Sequence, residues 1–194
     1  HSPWSEQDTM RVFKLQLSGD WGTAWYGRGW MPYYNAIAYP VDYFSSYYSG
    51  WATYTTFRRE NTLYYATPSF GGFSAAFAST DDNGSNSDNR NQAALSFAAS
   101  GFTLAVGIDD MNDANNSKLL GVAASYSTGP WYIAAKMDKF DSDKTTAGYG
   151  EDGTSASNVL LQYSLDDKNT LRVMVAQVDN YGEDILHLGW DHQY

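Results

Sequence analysis

The side chains with most chemical capacity in this chain are not set out for making or breaking bonds. No nucleophile–base spacing, phosphate loop or zinc pattern stands out, Cys is absent, and His187 and His192 have no third ligand nearby. The acids of Asp81-Asp82-Asn83-Gly84-Ser85-Asn86-Ser87-Asp88 lack the closing Glu of a calcium loop and read as a mobile external loop. No enzymatic activity, metal or cofactor is expected. What the chain concentrates is aromatic surface: residues 31–60 hold ten aromatics, among them Tyr33, Tyr34, Tyr39, Tyr43, Phe44, Tyr47, Tyr48, Trp51 and Tyr54. A phenol joins an apolar body to a polar tip, so such rings suit two uses. They can pin a segment to a wall, or stack on a solute such as a sugar.

A loop of this length is usually functional or disordered, and this one is too aromatic to be a solvated tail. Something must bury it. The flanking segments indicate what. Strand periodicity, with side chains alternating between faces, predicts eleven strands joined as hairpins with no helical period between them. The segments are Arg11–Ser18, Thr23–Trp30, Asn61–Thr67, Phe73–Ser79, Asn91–Ala99, Phe102–Asp109, Lys118–Ser127, Trp131–Phe140, Asn158–Leu165, Asn169–Val178 and Asp184–Tyr194.

Connection lengths alternate strictly. Short turns at 19–22, 68–72, 100–101, 128–130 and 166–168 interleave with longer polar links at 31–60, 80–90, 110–117, 141–157 and 179–183. An up-and-down meander then gathers the short turns at one end and the long loops at the other, as in transmembrane barrels. One strand face carries Leu, Val, Phe and Ile, with Tyr126, Trp131, Tyr163 and Trp190 near its ends as an aromatic girdle. The other face holds Ala, Gly, Ser, Thr and Gln instead of the Lys and Glu of a water-facing sandwich. Mean hydropathy is −0.49, which membrane strands reach because their two faces average out. The net charge of −10, with pI near 4.5, excludes a nucleic-acid footprint and places most acids in solvated loops. An even strand count is normal for a single-chain bacterial barrel, so eleven strands imply that strands are missing at both ends.

Several segments carry a resemblance. Leu17-Ser18-Gly19-Asp20-Trp21-Gly22-Thr23 leads to Tyr26-Gly27-Arg28, and Pro32-Tyr33-Tyr34-Asn35-Ala36 opens the long loop. Arg59-Glu60-Asn61-Thr62-Leu63-Tyr64-Tyr65 then runs into Pro68-Ser69-Phe70-Gly71-Gly72-Phe73, and the chain closes on Leu188-Gly189-Trp190-Asp191-His192-Gln193-Tyr194. In this order the pieces resemble the general diffusion porins of Gram-negative outer membranes. The resemblance covers most of the chain. It implies a single all-β domain over 1–194, an antiparallel up-and-down transmembrane β-barrel of which some eleven of sixteen strands are present. It also implies a homotrimer in outer-membrane lipid and lipopolysaccharide, with residues 31–60 folded inward as a constriction loop.

On that resemblance the constriction comprises Arg28, Asp42, Arg58, Arg59 and Glu60. Arg58 and Arg59 have a second reading as anchors of the loop. Lys14, Lys136 and Arg172 would line the lumen wall, with Asp109, Asp138 and Asp191 as counter-charges. Tyr33, Tyr34, Tyr39, Tyr43, Tyr47 and Tyr48 are candidates for aromatic pore lining, the alternative being simple packing. The expected function is passive diffusion of small hydrophilic solutes and ions, with the acidic balance favouring cations. A saccharide- or substrate-selective porin is the alternative within transport. A lectin-like sheet, an adhesin or a barrel sleeve for a partner is the alternative outside it.

Overall fold

The alternating segments form eleven antiparallel strands: β1 (Phe13–Gly19), β2 (Gly22–Trp30), β3 (Arg58–Ala66), β4 (Phe73–Thr80), β5 (Arg90–Ala99), β6 (Phe102–Asp110), β7 (Lys118–Thr128), β8 (Trp131–Asp141), β9 (Ser155–Ser164), β10 (Asn169–Val178) and β11 (Ile185–His192). The structure is a computed structural model describing residues 10–44, 55–81, 89–146, 150–179 and 184–193. All eleven strands lie in one sheet in sequence order, each paired with its chain neighbour, and among the described residues β1 and β11 pair on one side only. Short turns join β1–β2, β3–β4, β5–β6, β7–β8 and β9–β10, so they share one end, and the long connections share the other.

The strand bounds agree with the periodicity to within two residues except at β9, which starts at Ser155 instead of Asn158, and beside the long loop. There β3 starts at Arg58 instead of Asn61, because a bulge absorbs the break in alternation. Asn61 adopts φ 51°, the register slips between Gly27 and Gly29, and pairing resumes as Gly29↔Arg59 and Trp30↔Arg58. Asn is one of the few residues that tolerate this left-handed conformation. Arg58, Arg59 and Glu60 therefore belong to the wall and not to the loop.

Cross-strand register sorts the side chains into two faces. Leu104, Val106 and Ile108 of β6, Leu120 and Val122 of β7, and Leu186 and Leu188 of β11 are all exposed. Their neighbours Ala105, Ala123, Ala134, Ala156 and Ala176 are buried on the other face. Toward the short-turn end the exposed face gathers rings that meet across strands. Trp131 and Tyr163 lie 4.5 Å apart, Phe73 and Phe97 4.7 Å, and Trp21 and Tyr65 6.2 Å, with Phe102, Tyr126 and Trp190 in the same band. Rings at that level and aliphatics beyond match an interface belt bordering hydrocarbon. Among the described residues no helix is long and apolar enough to cross a membrane; the strands provide the spanning elements.

The buried face is covered from within the chain. After β2 the loop forms two short helical turns, Tyr34–Ala38 and Tyr39–Val41. Tyr33 and Ile37 cluster with Ala105, Leu119, Ala123, Phe140, Ala156 and Ala176, while Val41 packs with Ala134, Leu160 and Met174. The small wall residues thus leave room for the loop's large ones.

If the exposed face meets lipid, Val122→Arg should weaken folding into phospholipid vesicles by about 2–4 kcal/mol, as for a cation near a bilayer midplane. Chemical denaturation of vesicle-folded protein measures it; an unchanged midpoint would show that this face is not in hydrocarbon.

Candidate inner-loop site

Two carboxylates on the loop-bearing face organise the site. Asp109 on β6 and Asp138 on β8 are both fully buried. Arg90 grips Asp109 with two hydrogen bonds, Nε to Oδ1 at 2.6 Å and Nη2 to Oδ2 at 2.8 Å. The Thr55 hydroxyl, on the returning arm of the loop, donates to Oδ2 at 2.6 Å. Lys136 Nζ meets Asp138 Oδ2 at 2.5 Å, and the Tyr33 hydroxyl donates to Oδ1 at 2.8 Å. Gln92 ties the two ends of the loop together. Its Oε1 accepts the Tyr33 amide at 3.0 Å, and its Nε2 donates to Thr55 at 3.3 Å. Each buried charge therefore has an opposite charge from the wall and a donor from the loop, which makes burial tolerable.

Shape fixes the position as firmly as charge. A Cβ at Gly121 would stand 2.1 Å from the Tyr33 hydroxyl, and one at Gly107 would stand 3.0 Å from Ile37 and 3.1 Å from Tyr33. Glycine at these two wall positions gives the loop its seat. Further along, the Tyr132 hydroxyl donates to the Pro40 carbonyl at 2.8 Å, and the Tyr34 hydroxyl to Asp42 at 2.7 Å. Burial first, and the neighbouring Asp138 second, push the Tyr33 phenol far above the ordinary tyrosine range; burial and Asp42 do the same to Tyr34.

The remaining expected site residues separate into groups. Lys14 lies over the Trp25 ring at 5.1 Å on the loop-bearing face. Arg172 faces the same way: Nε donates to Gln162 at 2.8 Å, the guanidinium pairs with Asp191, and Cζ stands 5.6 Å above the Tyr43 ring. Lys136 points inward too, but its side chain has no exposure beneath the loop, so it does not line an open wall as expected from sequence. Arg28 departs further. Its register partner is Phe13, and it shares the parity of Tyr26, which pairs with Leu15 and Leu63. Arg28 bonds Glu60 at 3.5 Å, and the two border a depression shared with Phe13, Leu15 and Tyr26 on the exposed side. This follows from strict alternation after Tyr26: Gly27 takes the inward position and Arg28 the outward one. Arg58 sits at the long-loop end, 4.2 Å over Trp30, which stacks on Tyr34. Tyr47 and Tyr48 lie outside the described residues, as do Trp51, Tyr54 and most of the stretch from Asp81 to Asp88.

Opposite the clamped side, a recess of about 200 Å³ remains between the loop and β3–β5. Pro32, Asn35 and Ala36 form one bank, and Tyr64, Thr67, Ser74 and Ser96 are on the other. Its walls are uncharged and hydrogen-bonding. The site thus combines an apolar outer sheet, a loop seated on the other face and a small polar recess beside it.

The comparisons agree. The family model for the Gram-negative porin matches residues 5–189. This chain belongs to the Gram-negative porins. It is accordingly an outer-membrane β-barrel protein. Solved structures share the fold. An anion-selective porin from Comamonas acidovorans superposes with TM-score 0.67 at 15% identity, covering 93% of this chain and 61% of that one. Salmonella typhi OmpF, in complex with daunomycin, gives 0.74 at 18%, covering 95% and 66%. OmpT of Vibrio cholerae gives 0.68 at 12%, covering 95% and 66%. The porin described here thus spans under two thirds of the length of these neighbours. No curated protein sequence matches it.

Sequence reasoning on this porin missed Arg90, Gln92 and Thr55. Arg90 heads β5 on the parity of Gln92, but its meeting with Asp109 depends on the β5–β6 register, in which Gln92 opposes Asp109. Tyr33→Phe should destabilise the folded barrel by about 1–3 kcal/mol, since a buried carboxylate loses a donor. The neutral phenol is the folded form, so its contribution is complete below about pH 10 and is lost as pH rises beyond that value. Absorbance titration should therefore show the same tyrosinate amplitude between about pH 9 and 11 in wild type and Tyr33→Phe. A smaller amplitude in the variant would mean that Tyr33 ionises normally and is not buried against Asp138.

Proposed function

We propose that this porin forms a water-filled channel for passive diffusion of small hydrophilic solutes and ions, with the described parts of the long loop, residues 31–44 and 55–57, as its inward constriction. The observation that carries the proposal is the asymmetric seating of the loop. It is clamped through Asp109 and Asp138 on one side and leaves an uncharged polar recess on the other. A passage bounded by hydroxyls, amides and alanines offers water and polar solutes hydrogen bonds without binding them tightly, the condition for conduction. Lys14, Asp42, Arg59 and Arg172 are the constriction and wall charges in this reading, with Arg58 and the Arg28–Glu60 pair at the long-loop end. The homotrimer implied by the family resemblance is part of the same proposal; the broad aliphatic face leaves ample surface for lipid and for neighbouring copies.

Charge preference follows from where the charges lie. Asp109 and Asp138 are neutralised in buried pairs, so the net charge of −10 acts mainly from the connecting segments. Such exposed charge is screened over about 10 Å at 0.1 M salt and over about 3 Å at 1 M. In planar bilayers we expect ohmic single-channel steps and a reversal potential favouring potassium over chloride in dilute salt, shrinking toward zero in molar salt. Absence of steps would overturn the channel, and chloride preference in dilute salt would overturn the charge assignment.

A further inference from the structure

Beyond the clamp, the loop carries a second feature that diffusion alone does not use. Rings continue along it in contact: Tyr34 and Tyr39 at 6.2 Å, Tyr39 and Tyr43 at 6.3 Å, then Tyr43 and the wall residue Tyr132 at 5.1 Å. Tyr34 is buried within this series and Tyr43 and Tyr132 are half-buried, whereas Tyr39 is 54% exposed, so the series is open to solvent at Tyr39. Beside Tyr43 lies the set formed by Arg172, Gln162 and Asp191. Asp191 keeps about half of its side chain accessible, and Arg172 carries five donors of which these partners take only some.

We propose that Tyr39 and Tyr43, with Arg172, Gln162 and Asp191, form a saccharide-binding subsite where the loop meets β9–β11. The proposal rests on the channel reading above and names a solute class for it. A pyranose has one face of C–H groups and a rim of vicinal hydroxyls. Accessible tyrosine rings match the face, and a cluster of donors and acceptors in fixed relation matches the rim. Charge decides against an anionic ligand. Arg172 is already neutralised by Asp191, so a carboxylate or phosphate would have to displace that partner, while a neutral hydroxyl bonds to both members. Packing alone accounts for Tyr34 and Tyr132, whose hydroxyls are satisfied by Asp42 and Pro40. It does not account for an exposed Tyr39 next to Tyr43, the ring that the Arg172 guanidinium covers. A weak site of this kind holds a sugar at the narrowing without stopping its passage.

The test uses maltotriose as probe and the full-length porin in planar bilayers. Maltotriose should reduce potassium chloride conductance saturably, whereas polyethylene glycol of equal mass should reduce it only in proportion to concentration. Tyr43→Ser should raise the half-blocking maltotriose concentration at least fivefold, and Arg172→Met should do so too. Maltotriose behaving like the polymer, or block unaltered in both variants, overturns the proposal. Saturation-transfer NMR between the detergent-folded porin and maltotriose decides independently of conduction. Transfer to the sugar C–H protons that falls in Tyr43→Ser supports the subsite even if no channel is recorded. Lack of transfer rejects the subsite while potassium chloride steps leave the channel standing.

Discussion

Two carboxylates without water are the constraint on which this porin is built. Asp109 and Asp138 sit fully buried between wall and loop, where an unpaired charge would cost several kcal/mol. Each is satisfied by a wall cation and a loop hydroxyl together: Arg90 with Thr55, Lys136 with Tyr33. Neither half suffices alone. Without the loop, the pairs face an open cavity and the glycine seat at Gly107 and Gly121 is empty space. Without the pairs, the loop has an aromatic surface and no register on the wall. The interaction therefore fixes where the loop lies on the wall, and so where the recess beside it is left.

The rest of the sheet follows from separating two environments by one backbone. Period-two alternation sends aliphatics to one side and small residues to the other, and the up-and-down order keeps long loops at one end. Alanine and glycine on the inner side serve two purposes. Beneath β6–β9 they make room for Tyr33, Ile37 and Val41; along β3–β5 they leave the recess open. One composition thus gives a packed half and an open recess, and the loop decides which is which.

Most of the fold could be read from the chain because its determinants are local. Alternation, tight turns such as Ser100-Gly101, and regular spacing are each contained within a few residues. The inner-loop site was less legible because its bonds join residues far apart in sequence: 105 positions separate Tyr33 from Asp138, and 54 separate Thr55 from Asp109. The pairing of Lys136 with Asp138 could be guessed from two inward charges on one strand, but its concealment beneath the loop could not. Arg28 shows the opposite case. Its parity with Ala24 and Tyr26 was visible in the sequence, and that parity places it on the lipid-side face with Phe13, away from the wall position the family resemblance implied. The β3 boundary failed for a local reason, a bulge at Asn61 that breaks the alternation used to find strands.

The most direct check of the inward loop exploits the absence of native cysteine. Ile37→Cys combined with Gly107→Cys places two thiols where a Cβ at 107 stands 3.0 Å from the Ile37 side chain, within reach of a disulfide. Mild oxidation of the folded protein in outer-membrane vesicles should close an intrachain bond, read as a gel shift reversed by reductant. Folded, resistant barrels in which both thiols remain free would contradict a loop seated on the inner wall.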